Sequence, residues 1–82
     1  SGDIKEETNH VMKNISAILE TANMNMDDVD KCSIFISDMN NFQDINETYG
    51  TYFNENPPAR ETVEVARLPK NVRVEISAIA SK

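Results

Sequence analysis

The chain has 82 residues, enough for one domain with a small core, since a chain of this length hides only about 60–65% of its unfolded surface. Its 39% hydrophobic and 27% charged residues are ordinary for a globular domain, and no apolar run approaches the roughly 20 residues that cross a bilayer. The net charge of −6 opposes binding to phosphate backbones, no cationic-then-apolar leader is visible, and a single cysteine cannot make an internal disulfide, which fits a reducing compartment.

The first predicted element is a helix over about Asp3–Ala22. Asp3 is its candidate N-cap, with Glu6 three residues on as in a capping box. Ile4, Thr8, Val11, Ile15, Ile18, Leu19 and Ala22 recur at helical spacing and make the inner face. Asn23 tolerates positive φ and suits the left-handed end of the helix. Met12, Met24 and Met26 read as gap-fillers at a core edge rather than as a soft binding surface. Asn25 to Val29 reads as one capped turn. Its aspartates lack the glycine and the terminal glutamate of a calcium loop.

Lys31–Ser37 alternates as a strand, with Cys32, Ile34 and Ile36 on one face and Ser33, Phe35 and Ser37 on the other. A nucleophilic Cys32 would need a base and an electropositive setting; among β-branched neighbours a buried structural thiol is the commoner case. The second helix takes Asn40 as cap, with Gln43 at the capping-box position, and Met39, Phe42, Ile45, Asn46, Tyr49 and Phe53 as inner stripe. Gly50 inside it costs about 1 kcal/mol against alanine, which reads as room for a close backbone approach. Asn46 is equally well a buried amide tying down a loop or part of a site. The helix ends before Asn56-Pro57-Pro58, where two rings fix φ and remove donors.

Two strands follow, at about Glu61–Leu68 and Val72–Ser81. Thr62 shares a face with Arg60 and Glu64; Val72, Val74, Ile76, Ala78 and Ala80 share a face in the last strand, with Glu75 on the other. The short link between the strands excludes a parallel crossover. They form either a hairpin or two antiparallel strands with a neighbour between them. The expected fold class is α+β, two helices on one face of a mixed sheet in the order α-β-α-β-β.

Little chemistry is available. His10 is the only histidine and lies on the first helix, so a metal centre and a Ser-His-Asp arrangement are both disfavoured. Two glycines cannot build a phosphate cradle. What remains is a guanidinium at a strand start, Arg60, and a carboxylate inside a strand, Glu75. Each is costly there unless it has a partner or a task. Arg60 can clamp a carboxylate through two parallel hydrogen bonds, Glu75 can hold or deprotonate a water, and Thr62 can add a hydroxyl. Such a set suits hydrolysis of an imine, whose carbon is already electrophilic. From spacing alone, ordinary structural ion pairs are the commoner explanation.

The run Pro58-Ala59-Arg60, then Val63-Glu64-Val65-Ala66-Arg67-Leu68-Pro69-Lys70, then Val72 to Ala80, resembles the C-terminal signature of the reactive intermediate deaminase (Rid), or YjgF-type, family. This family is also described as liver perchloric-acid-soluble proteins, endoribonucleases and translation inhibitors. Lys31 to Phe35, Asp38 to Phe42, Asn46, Tyr49 and the first helix fit as well, so the likeness spans nearly all of the chain. The resemblance implies a chorismate-mutase-like architecture and a single domain of which these residues are the C-terminal two thirds. It implies homotrimers with clefts between subunits, and hydrolysis of enamines and imines, such as 2-aminoacrylate, to keto acids and ammonia. It implies no metal and no organic cofactor, no membrane, and a cytoplasmic location, or a mitochondrial one if a targeting segment has been removed. Arg60 would bind the substrate carboxylate, Glu75 would serve the hydrolytic water, and Asn46 belongs to the shared motif. Thr62 stands where the family often has cysteine. The family's N-terminal tyrosine and Ser-Gly-Gln segment, which line the same cleft, have no counterpart here. The alternatives are an endoribonuclease or translation inhibitor, disfavoured by the acidic charge and the lack of interleaved basic and aromatic residues, and a protein-binding, chaperone-like role.

Overall fold

The computed structural model describes residues 3–53 and 57–82. Helix α1 spans Ile4–Thr21; the Asp3 carboxylate accepts from the Lys5 amide and caps its start. It ends as a Schellman motif. Asn23 sits at φ 59° and donates to the Glu20 carbonyl, while Met24 donates to Leu19. The following turn, Met26–Asp28, carries a complete capping box between Asn25 and Asp28.

Strand β1 spans Val29–Ile36, helix α2 Phe42–Gly50, strand β2 Ala59–Glu64 and strand β3 Val74–Ala80. The sheet order is β2-β1-β3. β1 is parallel to β2, with α2 as the crossover, and antiparallel to β3. Of the two arrangements open to the last strands, the one with a neighbour between them is adopted. Register puts Cys32 beside Arg60 and Ala78, Ile34 beside Thr62 and Ile76, and Ile36 beside Glu64 and Val74. These residues face the helices. Met12 of α1, Ile45 of α2, and Ile34, Ile36 and Val74 of the sheet are almost wholly buried in one cluster, so both helices lie on one face. No helix among the described residues is long and apolar enough to cross a membrane.

Several local expectations change. Met12 is fully buried at the centre of α1's inner face, whereas Ile18 is 67% exposed. The helix is seated on Ile4, Thr8, Met12 and Leu19, and that line turns Ile18 outward. Thr8 fits the core because its hydroxyl donates to the Ile4 carbonyl at 2.8 Å. Asp38, not Asn40, caps the turn that leads into α2, accepting from the Asn40 amide at 3.0 Å. α2 stops at Gly50, short of the prolines, and Asn56 lies outside the described residues. A Cβ on Gly50 would meet nothing within 4 Å, so no close approach requires the glycine.

β2 ends at Glu64 rather than Leu68 because its partner runs out. Val65 makes a last bond to the Ile36 carbonyl, and beyond Ile36 β1 turns away. β3 starts at Val74 rather than Val72. Lys70 and Asn71 take φ of 59° and 56° in a tight turn, and Val72 is left 38% exposed. Arg73 then joins the last strand to α1: its amide and its Nε each donate to the Glu7 carboxylate at 2.8 Å.

Candidate functional site

Phe42, Asn46 and Tyr49 fall at i, i+4 and i+7 on α2, so one face of a nine-residue helix presents a ring, an amide and a second ring. β2 enters the sheet opposite that face, and its second residue is Arg60. The Arg60 guanidinium lies 5.8 Å from the Phe42 ring centre and 5.4 Å from that of Tyr49, and its Nη1 donates to the Asn46 side-chain oxygen. A cleft of about 390 Å³ opens here, lined by Asn46, Tyr49, Gly50, Pro57, Pro58 and Arg60. Three ion pairs occur among the described residues, Lys5–Glu47, Lys31–Glu61 and Arg73–Glu7, and Arg60 is in none of them. Its charge faces the cleft without an acidic partner among the described residues.

Behind the guanidinium the hydroxyls are buried. Tyr49 is only 4% exposed, and its hydroxyl and that of Thr62 are buried without a hydrogen-bonding partner among the described residues. Burial, and then the neighbouring Cys32 thiol, hold the Tyr49 phenol well above its usual range. Burial likewise pushes the Cys32 thiol up, and neither contact with Tyr49 nor the charge of Arg60 offsets it. Both groups stay protonated at neutral pH, so Cys32 is a core residue and not a nucleophile. Among the described residues no three His, Cys, Asp or Glu side chains cluster in a way that could hold a metal ion.

Arg60, Asn46 and Thr62 thus belong to one side of the sheet, and Glu75 does not. Glu75 pairs with Phe35, which is out of phase with Cys32 and Ile34 and points to the face without helices. Two strand spacings and three positions along the strand separate the Cα atoms of Arg60 and Glu75, about 14 Å by ordinary sheet dimensions. Glu75 is exposed, and its side chain makes no ion pair among the described residues. Around it the open face carries Ser33, Phe35, Val63, Ser77 and Ile79; Val63 is 42% and Ile79 63% exposed. The two ring partners of Arg60 were not singled out from sequence. Their signal was the spacing they share with Asn46, which a core stripe also produces.

Comparison with known proteins adds the lineage of this arrangement. The family model described as endoribonuclease L-PSP matches residues 1–82. A RutC family protein of Pyrococcus horikoshii is 53% identical over 81 residues, covering 99% of this chain and 64% of that protein. A 2-iminobutanoate/2-iminopropanoate deaminase of Salmonella typhimurium is 42% identical over 81 residues, covering 95% of this chain and 63% of the enzyme. Among solved structures, the Escherichia coli YjgF gene product matches with a TM-score of 0.92 at 41% identity, over 98% of this chain and 65% of that one. Escherichia coli TdcF with bound serine matches with a TM-score of 0.95 at 38% identity, over 100% and 67%. The chain spans about 64% of the length of the curated relatives it matches.

Proposed function

The chain belongs to the endoribonuclease L-PSP family, the group of the YjgF and RutC proteins, and from that premise we propose that the whole protein hydrolyses imines and enamines of amino-acid origin, of the 2-iminobutanoate and 2-iminopropanoate class, to keto acids and ammonia. The observation that carries the reading is the Arg60 guanidinium. It is held at a cleft mouth between two rings and an amide, with no carboxylate of its own among the described residues. A planar cation so placed takes a substrate carboxylate by two hydrogen bonds and fixes the imine carbon relative to it. The unpartnered Thr62 hydroxyl lies on the same side of the sheet.

Water activation falls to Glu75, which leaves the sheet on the face opposite Arg60. Within one chain Arg60 and Glu75 leave opposite faces of the sheet, which supports a site shared between chains. We place the glutamate that serves an Arg60 cleft on a neighbouring subunit of a homotrimer whose subunits meet through the open, partly apolar sheet face. The carboxylate then holds a water against the imine carbon, takes its proton as the C–O bond forms, and returns a proton to the departing nitrogen. No metal or organic cofactor enters, and the expected location is cytoplasmic. Relatives described as endoribonucleases suggest RNA as a second substrate class, but a net charge of −6 works against it.

The test is subunit complementation in the full-length protein, with a dehydratase-coupled assay that follows loss of 2-aminoacrylate. Arg60→Ala and Glu75→Gln should each lose activity, the latter by about 10²–10⁴-fold. Dissociated and reassembled at equal amounts, the two inactive variants should recover about one quarter of wild-type activity, the share of sites in a mixed cyclic trimer that combine an intact arginine with an intact glutamate. Recovery of nothing places both groups in one chain and defeats the intersubunit arrangement. Full activity in Arg60→Ala defeats the site.

A further inference from the structure

We infer that Phe42, Asn46 and Tyr49 form a charge-preserving clamp that orients Arg60 for its ligand, with Phe42 and Tyr49 as positioning residues. The inference rests on the reading that Arg60 takes a carboxylate, and it assigns Asn46 to the arginine rather than to the substrate.

An exposed arginine samples many rotamers, and freezing it costs side-chain entropy at the moment of binding. Here that ordering is done beforehand. The guanidinium carbon lies over two rings, at 5.8 Å from the centre of Phe42 and 5.4 Å from that of Tyr49, and both contacts limit where it can move. The Asn46 oxygen accepts from Nη1 and sets rotation about the long axis of the side chain. Tyr49 is itself packed in place, buried in the core with its ring tilted against Phe53 at a centre distance of 4.9 Å. Among the described residues only one of the guanidinium's five N–H donors is used, so a fork remains for a ligand.

The choice of amide over carboxylate is the informative part. Aspartate at position 46 would hold the same nitrogen more tightly, through a charge-assisted bond. It would also neutralise the cation. Asparagine and two π faces hold the guanidinium while leaving its full charge for an anion. A purely structural anchor would gain from the acid, and a ligand-binding one would lose.

That contrast is the experiment. In the full-length protein, Phe42→Leu should raise KM for 2-aminoacrylate about two- to five-fold, the weight of one exposed cation–π contact, with a smaller fall in kcat. Phe42→Tyr, which keeps a ring, should restore it. Asn46→Asp should raise KM at least about ten-fold, more than Asn46→Ala does. Nitrogen-15 NMR of the arginine side chain should show slow rotation about Nε–Cζ of Arg60 in wild type and faster rotation in Phe42→Leu and Asn46→Ala. If rotation is unchanged in both variants, or if Asn46→Asp lowers KM, the clamp is wrong whatever Arg60 does. If Arg60→Ala leaves KM unchanged while those variants still free the guanidinium, the clamp stands and the carboxylate reading falls.

Discussion

The two faces of the sheet are made by the same three strands and differ in what the chain itself supplies to cover them. Under the helices, Cys32, Ile34 and Ile36 alternate inward against Met12, Ile45, Tyr49, Val74 and Ile76, and all are buried. On the other face, Phe35, Val63 and Ile79 share space with Ser33, Glu61, Glu75 and Ser77, and no helix lies over them among the described residues. The covered face carries the stability of the chain; on the open face Ser33 donates to the Glu61 carboxylate, which also pairs with Lys31, while the Glu75 side chain has no ion pair among the described residues. Arg60 stands at the boundary, anchored from the covered side and turned to a cleft.

The largest expected effect breaks the covered face. Ile34 is 1% exposed, and Ile34→Ala should cost about 2–4 kcal/mol in urea unfolding, whereas Val63→Ala on the open face should cost under about 0.5 kcal/mol in a monomer. A larger loss for Val63→Ala, together with a fall in assembly mass by light scattering, would mean that a second copy covers that face.

The next effect loosens the cover. Glu7 joins α1 to the start of β3 through two bonds to Arg73, and Glu7→Gln should cost about 1–2 kcal/mol. Burial alone would raise the Glu7 carboxyl, but hydrogen bonds from Arg73 and its charge outweigh burial and hold it below the ordinary 4.5. The contribution is therefore complete above the unfolded value and is lost as pH falls below it through the lower folded value. Acid titration of stability should be shallower in Glu7→Gln over that window. An equal slope would remove Glu7 from the account.

Two smaller changes probe flaws within the covered side. Tyr49→Phe removes a buried hydroxyl without a hydrogen-bonding partner among the described residues while keeping the ring, and should be neutral or stabilising by about 1 kcal/mol in thermal unfolding. A loss instead would show that the hydroxyl has a partner in solution, with the neighbouring Cys32 thiol the candidate. Gly50→Ala, at the end of α2 where a Cβ meets nothing, should raise stability by about 0.5 kcal/mol. A decrease would mean that the wall of the cleft rearranges when the helix stiffens.

What the sequence determined by itself was local. The alternation of Cys32, Ile34 and Ile36, the presence of two helices, the left-handed Asn23 and the capped turn at Asn25 depend on neighbours a few residues away, and all were legible. Tertiary structure decided everything that depended on a distant partner. Whether Met12 or Ile18 lies inward depended on where α1 rests on the sheet, and the end of β2 at Glu64 depended on the end of β1. Arg60 and Glu75 were both readable as charges needing a task. Strand order and register alone sent them to opposite faces, because a side chain's direction in a sheet is set by pairing and not by its own residue.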